Sequence, residues 1–363
     1  MSTIIDSRKI LDFKKYTFCN YKKKDVISTL FKSIQTKQVE SACYWFIECI
    51  VSGYVLDIWD RIIIFTSKVI TINNPSLPSL LNNKNSYLYN YIHNKYNEKD
   101  KQFTILLRND SIIRNLSIFI VCVLTISSKS KRFDKYPSLK DDDFNVQNIE
   151  NRCNATMNLL PNNFIRFNEP DELRIICNEL YYNLKNNIGG YEKSMYWIIW
   201  IMEWEKKNIK NGSWNIDTRN IEGIQSKHKN NIIWIIWELI LLESSRRPTN
   251  IQIQINSLYD LYRFKYSPGK RNKRLPHLYN AVCYLTNTIN FNIPIISNIE
   301  CVIKTQLNIN NMFLLQKINE NKINNKINNK DINKDIQKKK VSITNKDICL
   351  DKLSVFNDLD PIL

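Results

Sequence analysis

Two helical periodicities follow each other between residues 39 and 75, and no other pattern constrains the fold of this chain as strongly. In the first, four apolar residues recur at the spacing i, i+3, i+4 and i+7 of one helix face: Cys43, Phe46, Ile47 and Ile50. The second run has an apolar face of the same kind: Val55, Ile58, Trp59, Ile62 and Ile63. Gly53 lies between the two runs, where a left-handed cap favours glycine, and Asn74-Pro75 follows the second. The segment therefore predicts a helical hairpin.

The rest of the chain also favours helices. With 6 Gly and 10 Pro in 363 residues, a turn-rich β fold is disfavoured. A second hairpin is predicted because Glu192–Ile199 is similar to Glu40–Ile47, and Ile233–Ile240 to Asp57–Ile64. An internal duplication and a chance similarity of Trp- and Ile-rich helices are both open. We predict an all-α fold with two helical-hairpin-based subdomains and a disordered basic C-terminal tail.

Shifts in composition suggest the domain boundaries. The polar stretch before the second hairpin predicts a linker, and the Lys/Asn/Ile repeats near the end predict disorder. The predicted regions are an N-terminal arm (1–24), a first helical subdomain (25–136), a polar linker (137–163), a second helical subdomain (164–316), a low-complexity tract (317–345) and an acidic, apolar terminal segment (346–363).

The charge of the chain indicates a polyanionic partner. Its net charge is +17, and because residues 317–363 contribute only +3, residues 1–316 carry +14. A body this basic favours nucleic acid, and we expect DNA rather than RNA.

Several classes of site and of location are disfavoured. The three His are far apart, the nine Cys form no C-x-x-C pair, and no G-x-x-x-x-G-K-[ST] sequence occurs. We therefore expect no metal, no cofactor, no catalytic residues and no enzymatic activity. No apolar run reaches the ~18 residues of a membrane span. The expected location is intracellular and soluble, in the cytoplasm or nucleus.

Basic residues interleaved with aromatics are the best candidates for nucleic-acid contact, because lysines and arginines bind phosphates and rings stack on unpaired bases. Pro268-Gly269 predicts a turn that would project the basic residues after it as a loop. The candidate residues are Arg263, Lys265, Tyr266, Lys270, Arg271, Lys273, Arg274, Lys129, Lys131 and Arg132. The alternative is a solubilising surface loop whose tyrosines anchor a helix in the core.

The first hairpin resembles a known helical region. The matching residues are Ala42, Tyr44, Trp45, Ser52, Gly53, Trp59, Arg61, Ser67, Asn74 and Pro75. Their order is similar to that in the C-terminal helical region of replication-associated recombination protein A, one of the AAA+ ATPases related to clamp loaders. The acidic signature of that family is missing, since Lys68, Val69 and Thr71 stand where it has Glu, Asp and Gly. The resemblance implies a collar-like helical body without an ATPase core, and a replication clamp or ATPase as partner, with oligomerisation open.

The end of the chain carries a second partner motif. Leu353, Val355 and Phe356 resemble the short peptides by which replication proteins dock on sliding clamps, although folding back onto the body is the alternative. A weaker resemblance links the Arg263–Leu278 stretch to proteins of large DNA viruses, which adds a viral factory or virion to the expected locations. We predict a non-enzymatic nucleic-acid-binding accessory factor for DNA replication or repair. The alternative is a structural or packaging protein that condenses nucleic acid in a viral particle.

Overall fold

A computed structural model describes residues 3–130, 137–186, 190–212 and 216–331, with side chains as far as residue 323. The described residues form helices and connecting turns, with an isolated β-bridge between Tyr16 and Lys22. The α-helices are α1 Lys23–Gln35, α2 Val39–Val51, α3 Val55–Val69, α4 Leu77–Lys95, α5 Phe103–Leu106, α6 Ser111–Ile126, α7 Val146–Arg152, α8 Asp171–Asn186, α9 Gly190–Lys210, α10 Ile233–Ser244, α11 Thr249–Arg263, α12 Pro268–Arg271, α13 Leu275–Thr286, α14 Ile299–Leu307 and α15 Ile309–Asp331. The predicted all-α fold is confirmed.

The hairpin predicted from residues 39–75 is present as α2 and α3. Gly53 joins the two helices with a φ of +77°, a conformation that side chains with a Cβ rarely adopt. A Cβ at this position would lie 3.0 Å from Ile10 Cδ1 and 3.2 Å from Ile105 Cγ1. The glycine is therefore required both by the backbone angle and by the close approach of two neighbours.

The chain forms two compact units that interleave in sequence. The first unit contains residues 1–63, 84–128 and 295–363, and the second contains residues 64–83 and 129–294. The predicted subdomains were consecutive, so the structure reassigns the last helices. α14 packs on α6, and α15 packs on α2 and α6, where Val302 and Phe313 are buried. Periodicity reveals an apolar helix face but not the helix that covers it.

The first unit is built around α2 and α6. Both helices are buried on most of their surface, and α1 packs against both of them. Beneath α15, the guanidinium of Arg114 lies 3.8 Å from the centre of the Phe313 ring. Arg114 Nε also donates to the Arg108 carbonyl at 2.6 Å, so this buried cation has both an aromatic and a polar partner.

The second unit has its core among α8, α9, α10 and α13. α10 is apolar on most sides, and Trp234 and Trp237 are each 1% exposed. Trp200 is also buried, and its indole Nε1 donates to the Asp143 carbonyl at 2.9 Å. These three tryptophans therefore belong to the core of the second unit.

The predicted polar linker is folded. It contains a 3-10 helix, Asp141–Phe144, followed directly by α7. Phe144 and Ile149 pack against the core of the second unit, and the Asp143 carbonyl accepts from Trp200, so apolar and polar contacts both hold this segment.

The predicted low-complexity tract also begins as structure, because α15 runs as far as Asp331. The remainder of that tract and the terminal segment 346–363 lie outside the described residues. In the part of the chain that the structure covers, no single helix has the length and apolarity to cross a membrane, and only the bent pair Phe103–Asn109 and Ser111–Ile126 meets both criteria when taken together.

Candidate nucleic-acid interface

The predicted basic loop, residues 263–274, is mostly helical. α11 ends at Arg263, α12 begins at Pro268, and a 3-10 turn, Asn272–Arg274, leads directly into α13. Pro268 occupies the first helical position, where its missing N–H costs nothing. The Pro-Gly pair therefore begins a helix, where the sequence predicted a turn.

Arg274 lies in the interior and is 1% exposed. Its Nη1 donates to the carbonyl of Tyr262 at 3.0 Å and to the carbonyl of Phe264. These carbonyls end α11, where helical partners are lacking. Arg274 thus caps a helix and is not part of a phosphate-binding surface.

Arg271 is also engaged inside the second unit. Its guanidinium pairs with the carboxylate of Glu205, and the two side chains are 13% and 2% exposed. Glu205 also accepts a hydrogen bond from the backbone N–H of Ile232 at 3.1 Å. Because a buried carboxylate needs its cation, Arg271 is held by this pair.

Arg263 and Tyr266 have partners as well. Arg263 pairs with Asp260 at 2.9 Å and lies 3.9 Å from Glu222. The Tyr266 ring packs 4.8 Å from the Trp234 ring, and burial raises the pKa of Tyr266 to about 12. The tyrosine belongs to the core, as the alternative interpretation of this loop required.

Three lysines of the predicted loop remain at the surface. Lys265 and Lys273 are exposed, and Lys270 is half-buried. Lys129, from the second predicted cluster, is half-buried too. Lys131 and Arg132 lie outside the described residues, as do the predicted partner-binding residues Leu353, Val355 and Phe356.

A concentrated basic site lies in the first unit, mostly in the region predicted only as an N-terminal arm. An open cleft of about 530 Å³ has six cations on its walls and no carboxylate among its lining residues, which are Lys14, Lys15, Tyr16, Lys22, Lys23, Lys24, Ile27 and Arg61. We call this site the lysine cleft.

A tight turn brings the lysines of this cleft together. Lys23 N donates to the Lys15 carbonyl at 3.0 Å, and Thr17 N donates to the Tyr21 carbonyl at 2.8 Å. Asn20 occupies the left-handed region at φ +62°, which asparagine tolerates better than most residues. The two legs of the turn therefore present two groups of lysines side by side.

The tip of the turn is anchored by buried groups. Phe18 and Cys19 are at most 1% exposed. Their backbone N–H groups donate to Ser52 Oγ at 2.8 Å and to Glu48 Oε1 at 2.7 Å. Glu48 is fully buried, and this burial raises the pKa of its carboxyl group. Because the tip points inward, the lysines on both legs are left at the surface.

Asp57 lies beside two cations of the lysine cleft. Asp57 lies 3.8 Å from Lys23 Nζ and 3.1 Å from Arg61 Nε. Lys23 Nζ also lies 3.8 Å from the centre of the Tyr54 ring. Lys14, Lys15, Lys22 and Lys24 are exposed. The cleft combines point charges that can reorient with a concave surface.

The sequence did contain a signal for this cleft. Lys14-Lys15 and Lys22-Lys23-Lys24 flank a short apolar stretch that includes Phe18 and Tyr21. Two lysine groups on either side of a buried tip predict that the lysines converge when the chain turns. The aromatic residues among the cations near residue 266 directed the prediction to that segment instead.

Two carboxylates of the acidic triplet Asp141–Asp143, in the second unit, have cationic partners. Asp141 pairs with Lys207 at 2.7 Å, and Asp143 lies 3.3 Å from Arg152. Among the described residues, no group of three or more His, Cys, Asp or Glu side chains is placed to hold a metal ion.

Comparisons with protein-family models, curated proteins and solved structures found no match to this chain.

Proposed function

We propose that this protein binds nucleic acid without sequence preference and serves as a non-enzymatic accessory factor in DNA replication or repair. The observation that carries the proposal is the lysine cleft, in which six cations meet without a lining carboxylate. It lies in a chain with a net charge of +17. Phosphates of a nucleic-acid backbone are the polyanion that such a cluster fits best.

The side chains of the cleft favour contact with phosphates over sequence-specific hydrogen bonds to base edges. Lysine is a flexible point charge, whereas the bidentate recognition of guanine is typically made by arginine. Arg61 is the one arginine of the lining, and Asp57 already accepts from its Nε. Affinity that depends on phosphates alone is independent of sequence.

The accessory role rests on the resemblance of the first hairpin to the collar-like region of clamp-loader-related ATPases. That hairpin carries Arg61 of the lysine cleft, so the helices that resemble a collar also support the basic site. We expect the purified protein not to hydrolyse ATP, because no phosphate-cradling G-x-x-x-x-G-K-[ST] loop occurs in the sequence.

The proposal is tested by measuring affinity for labelled DNA of two unrelated sequences as a function of salt. We expect equal affinities and a linear fall of log K with log salt, by about 0.7 per phosphate contact for a single strand. Polyglutamate, a polyanion without phosphates or bases, serves as the control for binding by charge alone. Equal binding of polyglutamate, a strong preference for one sequence, or salt-independent binding would each contradict nucleic-acid recognition through phosphates.

A further inference from the structure

We infer that the lysine cleft binds an unpaired strand, with lysines on the phosphates of about one to two nucleotides and the ring of Tyr16 against a base. This inference rests on the proposed function and adds the form of nucleic acid that the site takes. The cleft binds the strand locally, while other basic residues contribute only to its long-range attraction.

The dimensions of the cleft favour a single strand. Its volume of about 530 Å³ lies in the range of small-molecule pockets and fits a compact group such as one or two nucleotides. The phosphates of a duplex lie along the outside of a rod and need a long basic surface. In the cleft, both legs of the turn and Arg61 direct their charges at one concave space.

The apolar part of the lining supports the same conclusion. Tyr16 is half-buried on the wall, and Ile27 also lines the cleft. Stacking on an aromatic ring contributes about 1–3 kcal/mol per base and requires a base whose face is free. In a duplex, bases reach such a ring only after unstacking, which costs a few kcal/mol.

A substitution of Asp57 is expected to raise the affinity for a strand, whereas the loss of a lysine should lower it. The Asp57 carboxylate competes with an incoming phosphate for Lys23 and Arg61, at 3.8 and 3.1 Å. Replacing it by the isosteric amide removes the competing charge without removing a cation. Asp57→Asn is therefore expected to tighten strand binding by about threefold at low salt.

The experiment compares two triple variants that lose the same charge. The cleft triple is Lys14→Gln, Lys15→Gln and Lys22→Gln. The loop triple, in the second unit, is Lys265→Gln, Lys270→Gln and Lys273→Gln. Anisotropy of a labelled oligodeoxythymidine of about 12 nucleotides reports binding to each full-length variant, with a duplex of the same length in parallel.

We expect the cleft triple to weaken single-strand binding at least about tenfold and to flatten its salt slope by about 1, which corresponds to one or two phosphate contacts. The loop triple should change affinity less than about threefold, through overall charge alone. Equal losses in the two triples, or no loss in the cleft triple, would overturn the inference. Duplex binding that is tighter than single-strand binding and equally sensitive to the cleft triple would overturn it too.

Substitutions of Tyr16 separate the contribution of base stacking to affinity from the contribution of charge. Tyr16→Leu keeps an apolar side chain and should weaken single-strand binding by about fivefold or more, whereas Tyr16→Phe should retain it. Equal affinity of Tyr16→Leu and wild type would show that the ring does not contact a base.

Competition with ATP distinguishes binding of a strand from binding of a free nucleotide. Displacement of the oligonucleotide by micromolar ATP would overturn the strand assignment. If the wild type bound neither form of DNA, the proposed function itself would fail, whereas unchanged binding by the cleft triple would remove only this site.

Discussion

Two segments of this protein have similar densities of cations and aromatic rings, but their cations are placed differently in the structure. Residues 14–24 and residues 263–274 each contain at least five cations and at least two aromatic rings within a dozen positions. In the first segment the cations line an open cleft. In the second, Arg274 is buried under the end of α11 and Arg271 is paired with Glu205. Local density of positive charge therefore did not determine which segment became a basic surface.

The difference follows from the type of cation. All five cations of the first segment are lysines, while three of the six in the second are arginines. A guanidinium offers five donors in a fixed plane and is weakly hydrated, so it can replace water at buried carbonyls and carboxylates. An ammonium group is strongly hydrated and stays at the surface. Arginines near a helix end are accordingly buried by the fold, whereas most of the lysines stay at the surface.

The substitution Arg274→Ala tests this comparison with the largest expected loss of unfolding free energy. The substitution leaves the carbonyls of Tyr262 and Phe264 without their buried donor, and it should cost about 2–5 kcal/mol of unfolding free energy. Denaturant titration measures the loss, with Lys273→Ala as a neighbouring control expected within about 0.5 kcal/mol of wild type. DNA affinity of the folded fraction should not change. A stable Arg274→Ala variant with weakened DNA binding would place this arginine on the binding surface after all.

A second, smaller effect concerns the anchor of the lysine cleft. Glu48→Ala removes the acceptor for Cys19 N and for Gln316 Nε2, and it should cost about 2–3 kcal/mol. Because the turn tip is then released, single-strand affinity should fall together with stability. Ser52→Ala, which removes the neighbouring acceptor for Phe18 N, should show a milder loss of both. Destabilisation without any change in affinity would show that the turn does not depend on its anchor.

Glu48 also predicts a pH dependence with a defined sign. Burial raises the pKa of this carboxyl group above its usual value of 4.5. The folded state therefore holds the proton at pH values where the unfolded state has released it, and stability falls as pH rises above about 4.5. Glu48→Gln cannot titrate, so the stability difference between wild type and this variant should shift in favour of the variant with rising pH. A difference that is constant with pH, or of the opposite sign, would contradict the raised pKa.

The sequence was sufficient for the fold class and insufficient for the assembly of the helices. The hairpin around Gly53 was predictable because helix periodicity and glycine at a left-handed position are local properties. The interleaving of the units was not predictable, because the partners of α14 and α15 are about 180 residues or more away in the chain. Residues 141–152 are held by Phe144 and Ile149, which pack against the core, and by the pair of Asp141 with Lys207, all of them contacts with distant parts of the chain.

Positive charge and aromatic residues directed the prediction to residues 263–274, and not to the residues that line the lysine cleft. What the sequence could not reveal was the buried acceptors, such as Glu205 and the end of α11, that neutralise the arginines near residue 271. The lysine cleft depends on a turn whose tip is held by Ser52 and Glu48, about 30 residues further along the chain.

The finest contrast between the two segments is the residue at the left-handed turn position. The first segment has Asn20 there, at φ +62°, and the second has Lys265, at φ +43°. The left-handed region costs a residue such as lysine about 1–2 kcal/mol, while glycine pays about 0.5–1 kcal/mol in the unfolded state. Lys265→Gly should therefore stabilise the protein by about 0.5 kcal/mol, whereas Asn20→Gly should change stability by no more than a few tenths of a kcal/mol. Paired denaturant titrations resolve this difference, and Lys265→Ala, which removes the charge but keeps the strained angle, serves as the control. A Lys265→Gly variant less stable than wild type would mean that side-chain contacts of Lys265 outweigh the backbone strain. This lysine would then be structural, as the arginines of its segment are.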